Sequence, residues 1–252
     1  MKFKLKQEKL QTLLEKLLVK DMFVDSVISV KDKKLFSIQR EEHARALRFA
    51  KFNESFFEEI DDSTEAINID IQKIFNVIKN ISAETDLTVE IKGNKLSISG
   101  KNVDINFSYK EPTEEVLTAL PFEMDDGCPI VGDTKDKLDT SIKITLEDFK
   151  GISAYGSAMK TEFYKFMIKN KKVSVRVGDL HEFSDYVIFE PDSKVLNGPE
   201  LDSTYTYGIA QVAETFDSDI NIKTKTACPI WIYEGTKDHI LGVLIPPYVV
   251  NE

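Results

Sequence analysis

Two hydrophobic periods alternate along the chain. The opening Met1-Lys-Phe-Lys-Leu-Lys has an apolar residue at every second position, the period of a strand with one wet face. Residues 7–20 then place Leu10, Leu13, Leu14, Leu17 and Leu18 three or four apart, which predicts a helix buried along one side. Alternating segments at 22–30, 34–38 and 44–49 read as strands, with Asp32-Lys33 marking a turn. A short strand at 66–69 leads into a second helix over 70–80, with Ile71, Ile74, Phe75 and Ile78 inward. Strands follow at 87–92, 95–99 and 103–109, and Gly93-Asn94 and Gly100-Lys101-Asn102 supply turn chemistry between them.

Residues 110–139 break this rhythm with Pro, Gly and Asp in close succession, the composition of an inter-domain linker. The pattern then restarts. A strand at 141–145 precedes a helix over 147–159 with Phe149, Ile152, Tyr155 and Met159 inward, and strands follow at 163–169, 172–177 and 185–189. A loop carrying Asn197-Gly198-Pro199 leads to a strand at 204–206. A helix over 207–216 comes next, with Ile209, Val212, Ala213 and Phe216 inward, and strands at 220–224, 229–233 and 240–245 close the chain. Strand–helix–strands units thus begin near Lys2, Ala66, Ser141 and Ser203, a repeat of pattern rather than of residues. The expected fold is α+β: two similar domains, 1–110 and 140–252, joined by a linker at 111–139. Each domain holds two such units, with helices on one side of antiparallel sheets.

Composition narrows the function classes. Of 252 residues, 42% are hydrophobic and 30% charged, which suits a folded globular chain rather than a disordered one. No apolar run approaches the roughly 20 residues of a membrane span, and the N-terminus lacks the apolar core of a signal peptide. The two cysteines, Cys128 and Cys228, lack zinc or redox-pair spacing and are expected as reduced thiols, a disulfide being the alternative. Against 43 acidic residues stand 33 Lys and Arg, a net charge of −10 that disfavours non-specific nucleic-acid binding by the outer surface.

The polar sides of the helices depart from that average. On the first, Lys9, Lys16 and Lys20 fall within about 40° of one another and form a stripe beside the leucines. The second presents Gln72, Lys73, Asn76, Lys79 and Asn80, and the third Lys150, Ser153, Ser157 and Lys160. The fourth carries Gln211, Glu214 and Thr215 and no lysine. Surface lysines are commonly just solvated. Set together, such faces would also suit phosphates without reading bases.

At the C-terminus, Cys228-Pro-Ile-Trp-Ile-Tyr-Glu followed by Asp238-His-Ile-Leu-Gly-Val-Leu-Ile-Pro-Pro-Tyr-Val resembles the final hairpin of sliding DNA clamps of the proliferating cell nuclear antigen (PCNA) type, most nearly archaeal ones. Ser203-Thr-Tyr-Thr-Tyr-Gly-Ile-Ala is similar to the strand entering that family's fourth helix, and Leu117-Thr-Ala-Leu-Pro-Phe to its linker. His43-Ala-Arg-Ala-Leu and Glu54-Ser-Phe-Phe-Glu-Glu-Ile resemble an N-terminal strand and turn of the family. The order of elements matches over essentially the whole chain.

The resemblance implies a closed homotrimeric ring, with helices lining a channel around double-stranded DNA and sheets facing out. It implies no chemistry and no cofactor. Partners would be DNA polymerase, ligase, nuclease and a clamp loader, held through short peptides. The location would be cytoplasmic and nucleoid-associated in an archaeon, or wherever DNA replicates for a virus. The DNA-facing residues would be Lys9, Lys16, Lys20, Lys73, Lys79, Lys150 and Lys160. A peptide groove would be built from Ile38, His43, Val116, Leu117, Leu120, Pro121, Pro229, Leu244, Ile245, Pro246 and Pro247, with Ile130 and Val131 as alternatives because 123–139 is longer than the family's linker. The subunit contact would pair the strand bearing Val103, Ile105, Phe107 and Tyr109 with the next chain's strand bearing Tyr186 and Ile188.

Other chemistry finds little footing. His43, His181 and His239 are scattered, and the glycines lack phosphate-loop spacing. Asp179, His181, Glu182 and Asp185 lie close in sequence and read as a polar turn, a metal site being the alternative. Trp231, Phe75 and Phe149 sit at core-facing positions. Two further readings stay open: a clamp-fold interaction scaffold or monomeric processivity factor that does not encircle DNA, and an enzyme using the 179–185 acids.

Overall fold

A computed structural model of the chain describes residues 1–19, 22–23, 25–41, 46–63, 65–118, 120, 124–125, 128–129, 138–179, 184–206 and 209–248. The chain forms two compact units. One comprises Met1–Arg40, Arg48–Asp133 and Gly235–Leu241; the other comprises Glu41–Leu47, Thr134–Glu234 and Gly242–Glu252.

In the first unit β1 (Lys2–Lys6) runs directly into α1 (Gln7–Leu17). Lys6 offers no side-chain cap, and the first free amides of the helix are met instead by backbone: Gln7 N donates to Thr85 O at 2.9 Å and Glu8 N to Ala83 O at 3.2 Å. Next come β2 (Asp25–Lys31), β3 (Lys34–Arg40), β4 (Leu47–Phe52), a 3₁₀ turn at Glu54–Phe56, β5 (Glu59–Asp61) and β6 (Ala66–Asp70). The helix α2 (Ile71–Ile78) starts at Asp70, whose carboxylate accepts from Lys73 N at 2.8 Å. Then follow β7 (Asp86–Lys92), β8 (Lys95–Gly100), β9 (Val103–Ser108), α3 (Glu114–Thr118), β10 (Met124–Asp125) and β11 (Cys128–Pro129).

One antiparallel sheet has the order β5-β1-β7-β8-β9; a second run has the order β4-β3-β2-β6. The two helices pack together, and buried Gln7 ties them by donating from Nε2 to Ile78 O at 2.8 Å. Residues 26–30 of β2 and 35–39 of β3 are buried without interruption, so both faces of these strands are covered, where alternation alone suggests one wet face. Their polar members are accommodated by pairing: the Ser26 and Ser37 hydroxyls lie 2.5 Å apart.

The second unit opens with β12 (Thr140–Ile144) and α4 (Leu146–Met159), where the Thr145 hydroxyl accepts from Asp148 N at 3.2 Å as N-cap. Lys160 ends α4 in the left-handed region at φ 51°, and Thr161 N closes the helix onto Gly156 O at 3.1 Å. After these come β13 (Phe163–Lys169), β14 (Lys172–Gly178), β15 (Tyr186–Phe189), β16 (Ser193–Asn197), β17 (Leu201–Thr206), α5 (Ile209–Ala213), β18 (Ile220–Thr224), β19 (Ile230–Gly235) and β20 (His239–Ile245). One sheet is β15-β14-β13-β17, and the other run is β16-β12-β18-β19. Trp231 is fully buried, stacked on Tyr233 at 5.7 Å, and a β-carbon on Gly242 would come within 2.5 Å of the indole. Phe149 and Phe216 join α4 to the turn after α5, their ring centroids 6.1 Å apart.

Two expectations are corrected. Tyr155, expected inward, is 37% exposed, because the buried arc of α4 is centred on Phe149, Ile152 and Gly156. The segment 193–197, expected as loop, is the edge strand β16; its polar sequence hides a ladder in which Ile142 pairs with Val195 and Ile144 with Ser193. Both compact units draw on more than one stretch of the chain. Residues 235–241 go with the first unit because the turn after β4 holds them: Asn53 N donates to Asp238 O at 2.8 Å, Asn53 Nδ2 to Lys237 O at 2.8 Å, and the Ser55 hydroxyl to the Asp238 carboxylate at 2.9 Å. Among the described residues no helix is long and apolar enough to cross a membrane.

Candidate functional site

The helices decide where charge is displayed. On α1 the expected lysine stripe does not form. Lys16 is only 6% exposed, and its backbone oxygen accepts from the buried Arg48 guanidinium at 2.5 Å. Lys9 is half-buried; its amine donates to Phe56 O at 2.9 Å and lies 5.5 Å from the Phe56 ring centroid. Lys20 lies outside the described residues. A helical wheel gives the angle of this flank correctly but cannot say that the 3₁₀ turn covers Lys9. The exposed positions of α1 are instead Glu8, Thr12 and Glu15.

The other helix of this unit behaves as its sequence suggests. Lys73, Asn76, Lys79 and Asn80 of α2 and its C-terminal turn are exposed, and Lys79 Nζ donates to the Asn76 side chain at 3.3 Å. In the second unit Lys150 and Lys160 are exposed, whereas Ser153 is buried. Elsewhere in the first unit lysines have acidic partners: Lys4 with Glu59 at 2.6 Å, Lys6 with Glu84 at 2.5 Å, Lys33 with Glu54 at 3.0 Å and Lys92 with Glu90 at 2.6 Å. In each pair the hydrogen bond raises the lysine pKa, and Glu59, Glu84 and Glu90 are held below the usual carboxylate range by the same bonds. Lys73, Lys79, Lys150 and Lys160 make no such ion pair among the described residues, which leaves their charge available to a ligand.

Among the described residues each unit also ends a sheet in a strand paired on one side only. In the first it is β9, with Val103 and Ile105 half-buried, Phe107 buried and Tyr109, just beyond, donating to Gly93 O at 3.4 Å. In the second it is β15, where Tyr186 is 46% and Ile188 54% exposed. The Arg176 guanidinium stacks 3.9 Å from the centre of the Tyr186 ring and holds it in place. Such an open edge with exposed apolar side chains is a template for pairing with another chain.

The expected groove residues divide by exposure. Leu117 of α3 is 38% exposed, Val116 half-buried, and Leu120 buried; Arg40 reaches Glu115 at 3.4 Å and anchors α3. In the second unit Pro229, Leu244 and Pro247 are half-buried and Pro246 exposed. Pro247 bridges to Tyr205, and Tyr248 N donates to Thr204 O at 2.8 Å, so the segment after β20 is fastened along β17. Ile38 and Ile245 are 2% and 0% exposed. They are core residues, not groove surface, because β3 is covered on both faces and Ile245 points inward from β20. His43, Pro121, Ile130 and Val131 lie outside the described residues.

Among the described residues no group of three His, Cys, Asp or Glu is placed to hold a metal ion. Of the 179–185 cluster, His181 and Glu182 lie outside the described residues, and the Ser184 hydroxyl donates to Asp179 at 3.2 Å. Cys228 is a free thiol; the side chain of Cys128 is outside the described set.

No family model and no curated protein matches the sequence. Solved structures match over the full length. Proliferating cellular nuclear antigen from Entamoeba histolytica superposes with a TM-score of 0.76 at 10% identity, covering 98% of each chain. A structure of the C-terminal region of FEN-1 bound to A. fulgidus PCNA matches with a TM-score of 0.72 at 14% identity, over 100% of this chain and 99% of the other. Identities this low speak for the fold alone, and the fold is that of a PCNA-type clamp.

Proposed function

We propose that this chain is a DNA sliding clamp that acts without chemistry of its own. It assembles head to tail as a homotrimer, encircles duplex DNA with its helices inward, and tethers replication and repair enzymes wherever DNA is copied. The observation that carries this reading is the full-length likeness to PCNA structures, joined by unpaired lysines on α2 and α4. Phosphate contacts from Lys73, Lys79, Lys150 and Lys160 would hold DNA without sequence readout. A topological link then supplies processivity, and tethering raises the effective concentration of each bound enzyme.

Partners would dock short peptides with aromatic and aliphatic anchors, as expected of an apolar groove beside strand edges. The likeness to a PCNA that binds the C-terminal region of FEN-1 supports a nuclease among them. Leu117, Val116, Pro229, Leu244, Pro246 and Pro247 are the groove residues with surface to offer. The chain-to-chain contact would pair β9 with β15, satisfying both open edges.

A second reading, a clamp-fold scaffold that does not encircle DNA, is favoured by one observation: α1 exposes Glu8 and Glu15 rather than lysines. Light scattering across a dilution series separates the two. A mass three times the 28.7 kDa chain, with retention on nicked circular duplex and release after linearisation, is the clamp result. A single-chain mass at every concentration is the scaffold result.

A further inference from the structure

The two helices of the first unit display opposite charge. The exposed surface of α1 holds Glu8, Thr12 and Glu15, and the nearest cations on the same helix are withdrawn, Lys9 to Phe56 O and Lys16 into the interior. A ladder of side chains fixes one of these carboxylates: Gln7 Nε2 donates to Gln11 Oε1 at 3.1 Å, and Gln11 Nε2 to Glu15 Oε1 at 2.9 Å. In the second unit α5 exposes Gln211, and the residue that follows the helix, Glu214, is exposed as well. By contrast, α2 exposes Lys73 and Lys79 and has no acid after its N-cap, while α4 exposes Lys150 and has Lys160 at its C-cap, its acids confined to the first turn.

Resting on the clamp reading above, we infer that Glu8 and Glu15 face the phosphate backbone as a repulsive surface that limits how firmly the duplex is held. A channel lined only by amines would gather phosphates and slow the ring, because each added phosphate contact raises affinity and its salt dependence. A carboxylate on the helix packed beside those amines opposes that attraction over about one Debye length, roughly 8 Å at physiological salt. The duplex is then gripped by Lys73 and Lys79 of α2 and held off by Glu8 and Glu15 of α1. The specificity this gives is for a loosely held polyanion, which a moving tether needs.

The test is one-dimensional diffusion of the fluorescent full-length protein, threaded onto linear duplex DNA whose ends are then capped with streptavidin. The Glu8→Gln/Glu15→Gln variant keeps the side-chain shapes and the Gln11 bond. It should diffuse roughly two- to fourfold more slowly than the parent at about 50 mM salt, with the gap closing near about 500 mM. Lys73→Gln/Lys79→Gln should diffuse faster, and Glu15→Asp, which keeps the charge, should match the parent. Unchanged diffusion of the double Gln variant, or slowing by Glu15→Asp, overturns the inference. Failure of the parent protein to stay on capped DNA would instead sink encirclement itself, and this inference with it.

Discussion

The Tyr164 hydroxyl occupies the space that a β-carbon on Gly156 would need, and that carbon would also fall 2.7 Å from the ring carbon Cζ. Gly156 lies on the buried arc of α4, so the helix approaches β13 closely only because this position has no side chain. Gly156→Ala should therefore destabilise the protein by about 1–3 kcal/mol, although alanine is the better helix former. Tyr164→Phe in the same chain should recover part of the loss, a coupling of about 0.5 kcal/mol or more in a double-mutant cycle of chemical denaturation. A stabilising Gly156→Ala would mean that α4 does not sit this close to β13.

The same tyrosine titrates late. Burial, with a smaller push from Glu162, raises the Tyr164 pKa to about 12, and burial raises that of Tyr205 despite hydrogen bonds from Thr224 and Ser203 that act the other way. A tyrosine whose folded pKa is raised keeps its proton longer in the folded state. Its stabilising effect is complete below the unfolded pKa near 10 and is lost as pH rises through the folded value. The stability difference between the parent protein and Tyr164→Phe should hence shift by about 2–3 kcal/mol against the parent between about pH 9 and pH 12. Urea unfolding at both ends of that range measures it; a constant difference would contradict the burial of this hydroxyl.

At the edge strand, Ile188 is exposed in the single chain, so Ile188→Lys should leave chain stability within about 0.5 kcal/mol. A lysine on an edge strand opposes pairing with another chain. If the proposed β9–β15 contact builds the ring, the mass by light scattering should fall from three chains to one. A trimer that survives this change would place the subunit contact elsewhere than β15.

For the proposed groove, exposure separates candidate binding residues from core residues. Leu117→Ser and Leu244→Ser should weaken a fluorescent peptide with apolar anchors by roughly tenfold or more, with the thermal midpoint little changed. Ile245→Ser should behave differently, lowering stability by about 2–5 kcal/mol because the side chain is fully buried. Equal peptide binding by the parent and the Leu117 and Leu244 variants would move the groove away from both residues.

Periodicity made α1 and α2 legible, since each carries a strong apolar face against a polar one; in α4 the mixture of Ala, Gly, Ser and Tyr made the extent of the helix legible but not the exposure of Tyr155. It also located most strands, and motif order added the architecture. What escaped was whatever depends on a neighbour remote in sequence. Lys16 and Lys9 sit at the expected angle, yet Lys16 is buried and the turn at Glu54–Phe56 holds the Lys9 amine. β16, Ser-Lys-Val-Leu-Asn, is too short and too polar to show a period and becomes a strand because β12 offers it a ladder. Ile38 looks like one side of an alternating strand until both faces of β3 prove to be covered. Segments rich in Pro and Gly hid α3 and the short β10–β11 ladder for the opposite reason, as their few residues carry too little pattern to read.

The turn at 235–239, held by Asn53 and Ser55, bears on how the chain is made. Proteins usually fold on the ribosome one domain at a time, the N-terminal one first. Here the first unit includes Gly235–Leu241, and the second includes Glu41–Leu47. The first unit is therefore not complete until residues 235–241 have left the exit tunnel. Until then the hydrogen-bonding groups of Asn53 and Ser55 lack the partners that Lys237 and Asp238 supply in the folded chain.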